Sequence, residues 1–456
     1  MSLPTYPQYK KAGLPWLSEV PVGWEVKRAK HVFKIINERS KTGEEEKLTV
    51  SSKNGVVPRR GENVTMFMAA SYVGHKLCWP GDLVVNSLWA WANGLGFSNH
   101  HGLVSTAYSV YRPLPDFAEA APYLHYLLRS SAFQWELQVG SKGIWTSRLQ
   151  LTDDTFLRMP ILLPPLAEQR QIVAFLDHHT RQINRLVRAK RRLIGLLQEQ
   201  KQALIHRAVT QGLDAQAPMK ASGVAWLGAV PGHWEVKRLK LVLQNIVQQT
   251  TQKQEGDTYI ALENIESWSG RLTFAEEETP FESQVKRFAC GDVLFGKLRP
   301  YLAKVVLAEY NGVCVGELLV LRVVPNAALL PAFVALKLRS KPMIDLINSS
   351  TFGAKMPRAD WEFIGNIAFS FPPLEEQHAI VAHIESETRL LDATISRAQR
   401  EVELLQEYRT RLVADVVTGR ADVRRVVVPV GVAAEEAEGL DEAEEAEVTE
   451  LAADAD

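Results

Sequence analysis

Apolar residues recur at alternating steps of three and four along two stretches of the chain. In the first, Ile172, Leu176, Ile183, Leu186, Leu193, Leu197 and Leu204 form a stripe, with His179, Lys190 and Gln200 in the intervening turns. In the second, Ile380, Ile384, Leu391, Ile395, Ala398, Val402, Leu405, Leu412 and Val416 do the same. This spacing gathers side chains on one face of a helix. Neither stretch contains a proline, and each follows a Pro-Pro pair suited to a helix start. Roughly 42 residues at 1.5 Å each predict helices ~63 Å long, a length that suggests a coiled coil. Residues 166–209 hold nine basic and three acidic side chains, and residues 374–417 hold five basic and nine acidic. Opposite net charge favours pairing of the two with each other, most simply antiparallel. Two ordinary core helices of separate domains are the plainer alternative.

Between these stretches the pattern is mixed. Gly81-Asp-Leu-Val-Val, Val293-Leu-Phe and Leu318–Val324 read as strands, while the runs opening at Pro122 and Pro331 read as short helices. The fold class expected is α+β.

The chain is also written twice. Gly13–Arg28 returns as Gly223–Arg238 at an offset of 210, with Trp16, Pro21 and the Trp-Glu-Val-Lys-Arg run matching Trp226, Pro231 and the same run. Gly81-Asp82 matches Gly291-Asp292, Leu128-Arg129-Ser130 matches Leu338-Arg339-Ser340, Gly143 matches Gly353 and Arg148 matches Arg358. Pro164-Pro-Leu-Ala-Glu-Gln then recurs as Pro372-Pro-Leu-Glu-Glu-Gln. Repeats this long are duplicated domains rather than solenoid units, and such a duplication makes a pseudo-two-fold object. The expected organisation is a domain over 1–163, a long helix over 164–212, a second domain over 213–371, a second long helix over 372–420, and an acidic tail over 421–456, expected to be disordered.

These segments together resemble the specificity subunit of type I restriction–modification systems, over roughly residues 5–420. The resemblance rests on the WL…VP…WEVKR opening of each half, the stretch from Gly291 to Cys314, the PPLxEQxxIV helix openings and the LLQE stretches at Leu196–Glu199 and Leu404–Glu407. It implies two target-recognition domains separated by two long antiparallel coiled-coil helices. The first domain would read the 5′ part of a split DNA site and the second the 3′ part. It also implies two methyltransferase subunits docked on the helices, and motor-nuclease subunits in the full complex. The sequence departs where Asn86-Ser-Leu-Trp-Ala-Trp91 stands against Gly296-Lys-Leu-Arg-Pro-Tyr301, and in the acidic tail.

Charge sharpens the picture. The formal net charge of −1 averages two unlike regions: Glu435–Asp456 carries 11 acidic residues and no basic one. The rest has 52 basic residues against 42 acidic, a net of about +10 expected of a nucleic-acid binder. The polar stretch Met1–Tyr9 does not read as a secretory leader, and no apolar run is long enough for a membrane span. Cys78, Cys290 and Cys314 lie far apart without a CxxC pair, which fits a reducing cytoplasm.

Catalytic motifs are lacking. Gly291–Leu298 imitates a phosphate-binding loop but has Leu298 where a Ser or Thr would hold magnesium, and Pro300 where the helix would begin. Neither Pro-Pro pair has the flanking residues of an amino-methyltransferase motif. His100-His101 lacks a third ligand at metal spacing, His178-His179 falls within the long helix, and no nucleophile constellation surrounds the cysteines. The chain is therefore expected to be non-catalytic and without a cofactor of its own, with S-adenosylmethionine, ATP and magnesium on partner subunits.

Arg, Lys, Asn and Gln are the usual readers of base edges and phosphates. Candidates in the first half are Lys53, Asn54, Arg59, Arg60, Asn93, Asn99, His101, Lys142, Trp145 and Arg148. In the second half they are Lys297, Arg299, Tyr301, Lys304, Lys355 and Arg358. Arg148 and Arg358, each following a glycine loop, form the leading pair. Trp16, Trp24, Trp226 and Trp234 are assigned to core packing. Arg181, Arg185, Arg188 and Gln198 on one long helix, and Arg397, Glu403 and Glu407 on the other, are candidates for receiving partners. Domains at the ends of ~60 Å helices would read half-sites separated by an unread gap. A duplicated scaffold that binds proteins rather than DNA is the competing reading.

Overall fold

The computed structural model describes residues 3–59, 71–143, 149–252, 254, 256–274, 284–353 and 356–429. The chain divides into two compact units, one built from residues up to Ala189 together with those from Val402 onward, the other Lys190–Glu401.

Each unit is organised around a four-stranded antiparallel sheet of the same topology. In the first, Phe33–Ile36, Tyr108–Pro113, Leu83–Asn86 and Leu95–Phe97 lie side by side in that order. In the second, Leu243–Ile246, Leu318–Val323, Val293–Gly296 and Val305–Leu307 repeat it. The central strands are mostly apolar and buried because both faces are covered. Leu83 and Val85 point into a core shared with Leu124, Leu127 and Phe133 of the short helices. Val84 and Val110 point the other way, toward Leu48, Val56 and Cys78. The second unit splits Val293 and Phe295 from Leu294 in the same alternation.

The repeated sequence motifs are the joints of this architecture. Gly81 and Gly291 adopt φ of 89° and 88°, which a Cβ would strain. The aspartate after each is buried. Asp82 accepts the Trp79 amide at 2.9 Å and a two-pronged contact from Arg112 at 2.7 and 2.9 Å. Asp292 accepts the Ala289 amide and both prongs of Arg322 in the same way. The Glu-Val-Lys-Arg strands Glu25–Arg28 and Glu235–Arg238 pair with Pro160–Leu163 and Ala368–Phe371, the strands that lead into the long helices. Trp24 and Trp234 are fully buried beside them, and their indole N–H groups donate to Glu168 at 2.9 Å and Glu376 at 3.2 Å. Those glutamates lie in the first turns of the helices, where the dipole favours an anion. The next residues, Gln169 and Gln377, donate back to the carbonyls of Pro164 and Pro372.

The long helices run over Leu166–Gln211 and Leu374–Val417. Within each unit their segments are antiparallel. In the first unit Arg409 donates to Asn184 at 2.6 Å. In the second, Lys190 pairs with Glu401 and Lys201 with Asp392, both at 2.6 Å, so numbering rises on one helix as it falls on the other. The seam of the second helix follows the expected stripe, with Ile380, Ile384, Ile395, Ala398, Val402, Leu412 and Val416 buried. The first helix departs from it: Leu186 and Leu193 are exposed, and Ile183 is followed inward by Val187 instead. A straight helix drifts from a strict seven-residue repeat by about 20° per heptad, so an idealised stripe leaves the interface within a few turns.

The Leu-Arg-Ser repeat ends one short helix and starts another. The Ser130 hydroxyl caps the helix Ser131–Gly140 by accepting from the Phe133 amide at 3.2 Å. Ser130→Ala is expected to lower the stability of the first unit by about 1 kcal/mol, measurable as a shifted urea midpoint without a change in slope.

Candidate nucleic-acid interface

At one edge of each unit two loops are stitched together by equivalent backbone hydrogen bonds. The first leaves a central strand and spans residues 87–94 in one unit and 297–304 in the other. Asn86 N donates to Gly94 O, as Gly296 N does to Lys304 O, both at 2.8 Å. Ala92 N donates to Trp89 O and Asn93 N to Ala90 O; Leu302 N donates to Arg299 O and Ala303 N to Pro300 O. Asn93 and Ala303 both sit at positive φ, 68° and 47°.

The second is the glycine loop. In one unit Lys142 pairs with Gln150 across it, and in the other Phe352 pairs with Arg358. Leu151 N then donates to Ser87 O, as Ala359 N does to Lys297 O, both at 2.9 Å, locking the two loops together. This pairing corrects the expected equivalence of Arg148 with Arg358: the residue in the place of Arg358 is Gln150. The first unit's loop holds two more residues, which is where the repeat offset falls from 210 at the glycines to 208 at the Pro-Pro pairs.

In the second unit the paired loops gather cations around one carboxylate. Glu317 lies 3.9 Å from the Lys297 ammonium and 3.3 Å from the Arg358 guanidinium. Arg299 N donates to Pro357 O at 2.8 Å, and Leu298 bridges Arg358, so Lys297, Arg299 and Arg358 share one patch. Tyr301 stands beside them, 41% exposed. Lys304 turns inward and donates to Leu262 O. Burial pulls down the pKa of the neighbouring Lys286, and Lys297 adds repulsion. The patch is thus a half-buried cluster of cations in which Glu317 pairs with Lys297 and Arg358.

The first unit has no such cluster among its described residues at this place. Ser87 stands at the position of Lys297 and donates to Ala107 O. Trp89 stands where the other unit has Arg299, and it is 58% exposed. Asn93 is committed to the loop itself, its amide donating to Arg129 O at 3.1 Å. Lys53 and Asn54 project from the tip of the hairpin between Leu48–Ser51 and Gly55–Pro58, where their amides donate to the Ser51 hydroxyl. Arg59 is half-buried at the end of that hairpin. Asn99 is exposed, and His101 stacks on Trp79 with ring centroids 3.9 Å apart. Lys142 is exposed at the glycine loop. The predicted first-half residues fall on three segments: Asn93 and Lys142 on the stitched loops, Lys53, Asn54 and Arg59 on the hairpin, and Asn99 and His101 on a third turn, with Arg129 linking Asn93 to the Lys53 carbonyl. Arg60, Trp145, Arg148, Lys355 and the acidic tail lie outside the described residues.

Beneath the hairpin a half-buried arginine holds its turn. Arg129 donates to Leu95 O, to Ser52 O at 2.7 Å and to Lys53 O at 2.6 Å. Burial lowers its pKa to about 10, still far above neutrality. His125 beside it is pushed down to about 4 by burial and by that cation, so a neutral imidazole accepts from Phe97 N. Neither Trp89, Gln150 nor Glu317 was singled out from sequence; the change in offset between the two halves was the available signal for Gln150.

Of the candidate partner residues on the long helices, Arg181, Arg185, Gln198, Arg397, Glu403 and Glu407 are exposed and Arg188 is half-exposed. Among the described residues, no group of three or more His, Cys, Asp or Glu is placed to hold a metal ion, and no helix is long and apolar enough to cross a membrane.

Residues 92–194 and 231–404 match the family described as type I restriction modification DNA specificity domain. The type I restriction enzyme EcoDI specificity subunit of Escherichia coli is 22% identical over 282 residues, covering 58% of this chain and 62% of that subunit's length. A putative type I restriction enzyme MjaX specificity subunit of Methanocaldococcus jannaschii is 22% identical over 317 residues, 66% of this chain and 68% of that one. A solved chain described under "Structural basis underlying complex assembly and conformational transition of the type I R-M system" shares the fold with a TM-score of 0.62 at 20% identity, over 88% of this chain and 99% of that one.

Proposed function

The chain belongs to the type I restriction modification DNA specificity family, and from that premise we propose that it reads a bipartite DNA target, one half-site per unit, for a restriction–modification complex. It does no chemistry of its own: two methyltransferase subunits would bring S-adenosylmethionine, and motor-nuclease subunits would bring ATP and magnesium. Partners would dock on the exposed polar faces of the long helices, around Arg181, Arg185, Arg188 and Gln198 on one and Arg397, Glu403 and Glu407 on the other. The unpaired Cys78, Cys290 and Cys314 fit a reducing cytoplasm.

The observation that carries this reading is the duplicated pair of stitched loops. The backbone hydrogen bonds that close and stitch them recur in both units, while the side chains differ at equivalent positions: the buried Ser87 against the half-buried Lys297, the exposed Trp89 against a left-handed Arg299, and the exposed Gln150 against the half-buried Arg358. A conserved frame with exchanged side chains is what two different half-sites require. Arg358 suits a guanine edge and Gln150 an adenine edge.

Mapping methylated positions in the genome of a host with and without the chain is the test. The expected result is one motif with two specified parts and an unread gap. Inserting a short helical repeat near Leu196, with a matching insertion opposite it on the second helix, should change the gap and leave both half-sites unchanged. Altered half-sites with a fixed gap would defeat the idea that the long helices set the gap. A complex that binds random DNA without a steep loss of affinity with salt would favour the protein-binding scaffold instead.

A further inference from the structure

The loop over residues 87–94 is built to hold an indole in solvent. Trp91 is fastened by its Nε1 to Leu88 O at 3.1 Å, and its ring stacks on that of Trp89 with centroids 5.9 Å apart and planes 19° from parallel. Asn93 takes a left-handed conformation and ties its side chain to Arg129 O. Gly94 has no alternative: a Cβ there would lie 2.8 Å from Trp89 O and 3.0 Å from Trp89 Cβ. The loop thus uses a strained residue and an obligatory glycine, and the side chain it displays, Trp89, is more than half exposed beside the exposed Leu88. A large aromatic group held rigidly in water marks a contact surface.

The second copy of the loop indicates what the contact is. Arg299 replaces Trp89 and Tyr301 replaces Trp91 in a loop closed by three equivalent backbone hydrogen bonds, although Arg299 takes a left-handed conformation that Trp89 does not. Indole, guanidinium and phenol have little in common in charge or polarity. They share a flat face that stacks on a nucleobase. An apolar protein groove would not tolerate the exchange of tryptophan for arginine at its centre. Continuity with the cation cluster of Lys297 and Arg358 in the second unit points the same way.

Building on the reading of the chain as a DNA reader, we propose that Trp89 stacks on a base face at a step it partly unstacks in the half-site read by the first unit. That half-site is then held largely by stacking, and the second by charge. The two contributions differ in salt dependence, because stacking releases no counterions.

The test uses the chain assembled with its methyltransferase partner and duplexes carrying the mapped target. Trp89→Ala is expected to weaken target binding roughly tenfold with an unchanged dependence on salt. Trp89→Phe should restore most of it. Lys297→Ala should instead reduce the salt slope by about 1. With 2-aminopurine placed along the first half-site, the wild-type complex should change fluorescence at one position and the Trp89→Ala complex should not. Thermal unfolding of the variant should match the wild type, since the side chain is exposed. Unchanged affinity and fluorescence in Trp89→Ala would overturn the inference, as would loss of methyltransferase capture with DNA binding intact, which would assign the indole to a protein partner. A wild-type complex with no sequence preference would instead bring down the reading on which the inference rests.

Discussion

Arg129→Met is expected to lower the unfolding free energy of the first unit by about 4 kcal/mol. The guanidinium holds three carbonyls, those of Leu95, Ser52 and Lys53, and reaches Ser51 O at 3.5 Å. Each charge-assisted bond contributes roughly 1.5–3 kcal/mol, but the turn carbonyls lie near solvent and regain water in the variant. Methionine preserves most of the side chain's volume, so the loss reports hydrogen bonding more than packing. Leu48 and Val56 anchor the body of the hairpin in the core, so the arginine's share falls on its turn. Gly55, at φ 75°, packs flush on Gly96, where a Cβ would come within 2.7 Å of the Gly55 Cα. Without the arginine, amide exchange at residues 51–55 should rise well beyond what the global loss explains, and Lys53 and Asn54 should lose their fixed orientation. Arg129→Lys should recover one carbonyl at most, because a single ammonium cannot span the fork. A loss below 1 kcal/mol with unchanged exchange would show that the turn holds itself. The second unit uses the same device: Arg339 donates to Val305 O and lies so close to Gly270 that a Cβ there would overlap its guanidinium.

That arginine illustrates how far the sequence could be read. The repeat of Leu-Arg-Ser was plain, but nothing in one chain says which carbonyls a half-buried guanidinium meets. The same holds for the Trp-Glu-Val-Lys-Arg and Pro-Pro-Leu motifs. Each was visible alone, and their contact through Trp24 and Glu168, or Trp234 and Glu376, is a long-range fact that periodicity does not carry. Element types were legible because strand and helix periods are local. The length and pairing of the long helices were legible from missing prolines and opposite charge. The inward register of the first helix was not: the partner decides which of two adjacent stripes is buried, and Val187 rather than Leu186 took the place. The matching of the glycine loops between the halves was not legible either. A fixed offset of 210 matched Arg148 to Arg358, whereas the strand ladder matches Gln150, because hydrogen bonding counts from the end of the loop and not from its glycine.

The double substitution Lys337→Leu with Ser370→Leu is expected to stabilise the second unit by about 2 kcal/mol at neutral pH. Lys337 is fully buried, and its ammonium donates to the hydroxyl of Ser370 at 2.6 Å and to the carbonyl of the same residue. It lies 5.0 to 5.7 Å from the ring centres of Trp234, Phe333 and Phe369. The aromatic faces offset part of the cost of dehydrating the charge, each by roughly 0.5–2 kcal/mol. Desolvation of an ammonium still exceeds that by several kcal/mol, and it drives the Lys337 pKa well below its usual 10.5. The first unit solves the same position without charge: Leu127 and Leu162 stand at the equivalent places, both fully buried. Transplanting that pair exchanges a long and a short side chain for two of middle size, so volume is nearly kept. Either change alone should be worse. Lys337→Leu strands a buried hydroxyl, costing about 1–3 kcal/mol, and Ser370→Leu removes a partner from a buried cation. The pH dependence separates this account from simple repacking. With a folded-state pKa below 10.5, the unfolded chain binds more protons between the two values, so wild-type stability climbs as pH rises through that window. The double variant lacks the group and should not follow. Its advantage, measured by urea unfolding, should therefore be widest at pH 7 and narrow toward pH 10. A variant less stable than wild type at pH 7 would mean that the aromatic cage outweighs dehydration, and a constant advantage across pH would mean that Lys337 folds with its proton state unperturbed.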